Sequence, residues 1–224
     1  MTRFKIWHSK NNFLFLLLAL LVFFIVNSFL FAHQAEMYIS GLLFTVIMLL
    51  SIFALYRGHR MLNLVVSLGV FSWLTFWLAH WFPNSCLHVL DFALSTGFFA
   101  VITYMVIEYV MRQPVVSFNT IYGAVCGYLL LGISFAFLFG LIYSMVPLAF
   151  YLSDGRPLAL IRPMQELNYY SFVTLTTVGY GDITPVLPIA RTLSWMEAAL
   201  GQIYLTVLIA RLVSLQVAER KANE

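Results

Sequence analysis

The chain has 224 residues, 62% of them hydrophobic and only 9% charged, with a mean hydropathy of +0.92. A water-soluble fold of this length could not hide so much apolar surface, so the bilayer is the expected solvent. The formal charge of +3 is small, and no basic run or stripe could follow a phosphate backbone, which excludes nucleic acid as a partner.

Crossing hydrocarbon takes about 20 apolar residues in a helix, and six segments qualify: 13–32, 38–56, 61–82, 87–111, 121–146 and 188–214. The first follows a basic start and ends at Phe31-Ala32-His33, the outline of a secretory signal. Its apolar run exceeds the roughly 7–15 residues of a signal core, so a retained helix is expected; cleavage would leave five spans. His33-Gln34-Ala35-Glu36 and Arg57-Gly58-His59-Arg60 separate the first three segments. Pro83-Asn84-Ser85 and Arg112-Gln113-Pro114 then end a helix each, since proline removes a backbone donor. Trp73, Trp77 and Trp81 climb towards the outer end of the third span, where Trp81 suits an interfacial anchor. Cys86 and Cys126 have no metal-ligand spacing and read as small apolar packers.

The fourth span holds Asp91 and Glu108 but no lysine or arginine, with Arg112 alone at its inner end. Voltage sensing needs repeated cations in a moving helix, each contributing about 2.3 kcal/mol per 100 mV, so weak or absent voltage dependence is expected. Asp91, Glu108, Asn63 and His80 are expected to pair inside the helical bundle, with a wet outer position as the alternative for Asp91 and His80. His80 or His88 could sense protons, although solvated interfacial histidine is the plainer reading.

Orientation follows from the cations. With the N-terminus in the cytoplasm, Arg3, Lys5, Lys10, Arg57, Arg60, Arg112, Arg211, Arg220 and Lys221 fall inside, and only Arg156, Arg162 and Arg191 outside. This bias predicts cytoplasmic termini and an outward-facing insert, 147–187, between the last two spans.

The insert contains Thr174-Leu175-Thr176-Thr177-Val178-Gly179-Tyr180-Gly181-Asp182. An ion crossing lipid must exchange its water shell for other oxygens, and rings of backbone carbonyls can supply them. Aiming successive carbonyls to one side needs backbone angles that Gly179 and Gly181 reach without a Cβ clash. Val178 and Tyr180 would point away and brace the strand, while Thr177 adds a hydroxyl to its carbonyl. Before them, 166–176 is a segment of about 16 Å if helical, preceded by Pro163 and opened by Glu166, both suited to a helix N-terminus. Too short to span, it fits a re-entrant helix whose negative C-terminal end faces a central cavity.

Thr177 to Gly181 resembles the potassium-channel signature TVGYG without a mismatch, and 167–182 resembles the pore helix and filter of bacterial potassium channels. Ile183-Thr184-Pro185, Arg191, Glu197 and Gly201 look like the same pore domain, so the resemblance covers roughly 121–215. It implies an all-α membrane protein with six transmembrane helices plus a re-entrant pore helix and filter loop. It implies also an N-terminal membrane domain (1–113), a pore domain (114–215) and a short tail (216–224). The function implied is passive, potassium-selective conduction in a bacterial inner membrane, with K+ as the transported ion at Thr177, Val178, Gly179, Tyr180 and Gly181 and no cofactor. The motif occurs once, so four copies must close the ring, and a homotetramer is expected.

Around the filter, Asp182 would concentrate cations at the outer mouth, and Tyr169 or Tyr170 could hydrogen-bond it or simply pack. Val173 stands where some relatives carry a glutamate, so that carboxylate pairing with Asp182 is missing. Gly201 is a candidate hinge, with close packing against the pore helix as its rival. Glu197, a carboxylate at membrane depth, reads best as an acceptor tying the last span to the pore helix. Thr206 and Ile209 are candidates for cavity lining. Only nine residues follow Leu215, too few for a soluble ligand-binding module. A non-conducting or regulatory subunit is the alternative, and a transporter is disfavoured because no inverted repeat is visible. No nucleophile with its base, metal cluster or phosphate loop suggests an enzyme.

Overall fold

The computed structural model describes residues 12–29, 36–55, 62–82, 84–158 and 163–223. Arg3, Lys5, Lys10, Arg57, Arg60 and Arg162, which carry part of the orientation argument, lie outside the described residues, as does the Phe31-Ala32-His33 boundary.

Among the described residues, seven α-helices carry the fold: α1 (Asn12–Phe29), α2 (Glu36–Leu55), α3 (Leu62–Trp81), α4 (Ser85–Arg112), α5 (Phe118–Met145), α6 (Pro163–Leu175) and α7 (Pro188–Asn223). Four contain stretches long and apolar enough to cross a membrane: Leu62–Ala79, Ser85–Arg112, Phe118–Met145 and Pro188–Val217. The apolar stretches found in α1 and α2 are shorter, Asn12–Asn27 and Gly41–Leu55. The helix starts have local causes. Asn84 caps α4 by accepting from the Cys86 N–H at 3.0 Å, and Ser117 caps α5 by accepting from the Thr120 N–H at 3.1 Å.

The chain is mostly helical, as expected, with one short sheet that the sequence did not announce. β1 (Phe150–Leu152) and β2 (Ile183–Pro185) form a two-stranded antiparallel sheet, with Tyr151 opposite Thr184. Three-residue strands are too short to show a period-two pattern, and both sit in an insert of mixed polarity.

Helix α5 is the spine. Its Cys126, Leu130, Ile133 and Phe137 join a core with Phe13 and Leu16 of α1, Phe44 of α2, and Phe98, Phe99 and Ile102 of α4. Its Phe135, Phe139 and Ile142 build a second core with Phe150, Leu167, Tyr170, Ile183 and Ala190. Ala124 joins Val110, Tyr204 and Leu208 in a third. Buried Cys126 fits the packing expectation, whereas Cys86 is exposed. The link 113–117 brings α4 and α5 side by side, and a hydroxyl pair, Thr103 and Ser134 at 2.9 Å, joins them. Along α7, by contrast, Trp195, Leu200, Ile203, Val207 and Val213 are exposed, an apolar surface that this chain leaves open to lipid or to further copies.

Candidate functional site

Helix α6 has 13 residues, about 20 Å of helix, well short of a hydrocarbon core of about 30 Å. Its C-terminal turn is closed by the residues that follow. Thr177 N–H donates to Thr174 O at 2.9 Å, and the N–H groups of Val178 and Gly179 both reach Val173 O, at 3.0 and 3.2 Å. Carbonyls that a helix end would leave orphaned are thus satisfied by the extended segment itself.

That segment has a distinctive backbone. Thr177, Gly179 and Gly181 have φ of 60°, 57° and 77°, while Val178 and Tyr180 between them do not enter the left-handed region. In an ordinary strand, successive peptide carbonyls point to opposite sides. Alternating the sign of φ turns successive peptide planes to the same side. A Cβ placed at Gly179 or Gly181 would meet nothing within 4 Å, so conformation and not crowding within the chain calls for glycine there. Among the described residues, no carbonyl from Thr177 to Gly181 accepts a hydrogen bond. Thr177 is the surprise. A β-branched residue in this region costs about 1–3 kcal/mol, and its residue type gave no sign of it. Val178 and Tyr180 are 52% and 71% exposed, touching little of their own chain.

Residues 164–217 match the ion-channel family. The match covers about a quarter of the chain, from α6 through the extended segment and most of α7. A rice protein (Oryza sativa subsp. japonica) described as two pore potassium channel c is 35% identical over 86 residues, which is 35% of this chain and 18% of the relative. The chain thus spans less than a fifth of that relative's length. No solved structure matches. The similarity is to channels rather than to enzymes.

The two tyrosines have different partners. Tyr169 donates to Asp182 Oδ2 at 2.6 Å, and that bond pushes its hydroxyl up to about 12. Asp182 Oδ1 accepts from the Ile183 N–H at 3.0 Å, and the Asp182 carbonyl accepts from the Ser153 N–H at 2.9 Å. Tyr170 instead bonds the Ser194 hydroxyl of α7 at 2.6 Å and packs edge-on against Phe139 and Phe150. In the turn after β1, exposed Arg156 and Asp154 pair at 2.6 Å, and the arginine holds that carboxyl below its ordinary value.

Glu197 is wholly buried in α7. Its Oε1 lies 2.5 Å from Ser171 Oγ of α6, and the same Oγ lies 2.7 Å from Gly132 O of α5. Among the described residues, Glu197 Oε2 has no hydrogen-bond partner. Gly201 sits under the end of α6. A Cβ there would be 2.5 Å from Leu175 O and 2.8 Å from Leu175 Cδ1, and α7 runs through it as one continuous helix. Close packing therefore explains this glycine without a bend. Two tyrosines that the sequence reading passed over support the same region. Tyr128 OH donates to Leu175 O at 3.4 Å, Tyr204 OH donates to Ala124 O at 2.6 Å, and their rings stack at 5.9 Å. Thr206 and Ile209 lie on the exposed side of α7.

Both acidic residues of α4 have a partner. Asp91 is buried against Thr75 Oγ1 at 3.5 Å, while Glu108 pairs with Arg112, one helical turn on, at 2.6 Å. Asn63 and His88 are exposed, and the side chain of His80 lies outside the described residues.

Proposed function

We propose that this chain is one subunit of a potassium-selective channel that conducts passively, with residues 177–181 of four copies lining one shared filter. The observation that carries the proposal is the alternation of left-handed φ at Thr177, Gly179 and Gly181, with the intervening carbonyls free of internal hydrogen bonds. Buried or membrane-facing carbonyls need partners, and a dehydrated cation is one that four converging strands can satisfy. Potassium is preferred because the string from Thr177 to Gly181 is TVGYG and because the similar rice protein is described as a potassium channel.

In this reading α1 to α5 and α7 are the six spans and α6 is a re-entrant pore helix. Residues 1–113 form a membrane domain beside the pore domain at 114–215, both termini are cytoplasmic, and the membrane is a cell's inner membrane. Asp182, held by Tyr169, rims the outer mouth. Gly201 acts by letting α7 approach α6, and the exposed apolar face of α7 meets neighbouring copies. Voltage dependence is weak, because the lone cation of α4, Arg112, is already paired with Glu108.

Purified protein in liposomes tests this directly. Potassium flux that barium blocks, with bi-ionic reversal potentials giving at least about tenfold preference over sodium, is expected. Equal permeation of the two ions, or no flux from a protein that inserts intact, would reject it.

A further inference from the structure

The hydroxyl of Ser171 has one proton and two short contacts to acceptors. Its Oγ lies 2.7 Å from Gly132 O and 2.5 Å from Glu197 Oε1. A serine can donate to only one of them. If it donated to an ionised Glu197, the contact with Gly132 would press two oxygen lone pairs together with no hydrogen between them. If it donates to Gly132, the shorter contact needs its proton from Glu197.

The surroundings favour the second arrangement. Glu197 has no exposure, and Oε2 has no donor facing it among the described residues. Helix α5 carries no Asp, Glu, Lys or Arg, and its Tyr128 hydroxyl donates to Leu175 O. Helix α6 offers Tyr170, which is occupied by Ser194, while its Glu166 stands at the far end, in the first turn. On α7, Arg191 Nε is held by Pro185 O at 3.0 Å, and an Arg211 Nη reaches Gln113 O. Asp182 is taken by Tyr169. An ionised carboxylate here would be buried with no cation to offset it.

We infer that Glu197 is carried as a neutral carboxylic acid whose proton completes a relay, Glu197 O–H to Ser171 O–H to the Gly132 carbonyl, clamping α7, α6 and α5 together behind the extended segment. Glu197 is a positioning residue. Ionisation removes the first donor in the relay, Ser171 must then turn to the carboxylate, and the link to α5 is lost. The protonation state stands on the geometry alone. Its consequence for conduction, a filter whose support fails at alkaline pH, rests on the channel reading above.

Infrared spectroscopy of the full chain in lipid nanodiscs separates the two. A protonated-carboxyl stretch at neutral pH is expected, reduced in Glu197→Gln by a component that Asp91→Asn leaves in place, with that component shifted in Ser171→Ala. In the wild type the Glu197 share of that band should fade reversibly as pH rises, a readout that needs no variant to fold. A neutral-pH spectrum without the band, or a band abolished by Asp91→Asn and untouched by Glu197→Gln, overturns the inference whether or not the protein conducts. In liposomes, Glu197→Gln, which can still donate to Ser171, should retain potassium flux and lose its alkaline decline, whereas Glu197→Leu should lose flux. An alkaline decline identical in wild type and Glu197→Gln would overturn the proposed link to conduction.

Discussion

Two halves of this molecule differ in the balance of forces that holds them together, although the first has polar ties too, Ser72 with Ser95 at 2.8 Å and Trp73 with Thr45 at 3.1 Å. In the α1–α4 half, the inner faces meet largely through aromatic rings: Phe44 with Phe76 and Phe99, Phe98 with Phe99, and Phe99 stacked on Phe137 of α5 at 5.0 Å. Around α6, buried polar groups tie one element to the next: Ser171 to Gly132 and Glu197, Tyr170 to Ser194, Tyr204 to Ala124. Ring packing is broad in distance and angle, worth roughly 0.5–1.5 kcal/mol per pair beyond area burial, and tolerates small shifts. Hydrogen bonds weaken steeply once misdirected. The half that carries the extended segment is the one that leans more on directional bonds.

That contrast can be broken by experiment, and the largest effect is expected at the extended segment. Gly179→Ala forces an L-residue into a left-handed angle at about 1–2 kcal/mol per copy, with no steric clash inside the chain to blame. Loss of potassium flux from a protein that still folds and assembles is expected; wild-type flux and selectivity would remove the conformational argument. Next is Gly201→Ala, whose new methyl overlaps the Leu175 carbonyl. Overpacking of this kind costs about 1–3 kcal/mol, so thermal scans should show a lower Tm together with reduced flux. An unchanged Tm with altered gating would instead favour a hinge.

Tyr169→Phe should act more mildly, removing one tie to Asp182 while leaving Ile183 N–H and Ser153 N–H on the same residue. Potassium current should persist but decay faster under sustained recording. Because donation needs the protonated tyrosine, this tie is intact at lower pH and is lost only as pH rises through about 12. The Tyr169→Phe difference should therefore stay constant across the neutral range, and one that vanished by mildly alkaline pH would contradict the assigned bond. The smallest effect belongs to the aromatic half. Phe99→Leu should cost well under the roughly 3–5 kcal/mol of truncation to alanine, lowering Tm slightly with ion selectivity unchanged. Altered selectivity there would mean the two halves are not mechanically distinct.

Legibility in the sequence followed the same divide. Gly179 and Gly181 could be read because glycine marks left-handed backbone, but Thr177 could not, since a threonine argues against the conformation it holds. Glu197 stood out as a carboxylate in an apolar run. Its partner did not, because nothing in a sequence says which of several hydroxyls faces it. Helix positions came within about three residues from apolar length and from Pro and Asn boundaries, except that α7 continues nine residues past 214 to Asn223, whereas β1 and β2 left no periodic trace. Nor was the docking of α1 on α5 and α6 visible, where Phe13 N–H reaches Asn119 Oδ1 at 3.2 Å and Phe24 meets Phe172 edge-on. A helix apolar on every side does not announce its neighbour.

The pairing of β1 with β2, together with the bond from Ser153 N–H to Asp182 O, pins the far end of the segment that α6 launches. A short stretch moored at both ends is a taut string with no slack to take up. An extra residue inserted between Thr176 and Asp182 would have to buckle sideways or unzip the ladder from Ile183, and a deleted one would drag β2 towards the helix. A change in its length therefore cannot be absorbed within the segment and must be passed on to the elements that moor it.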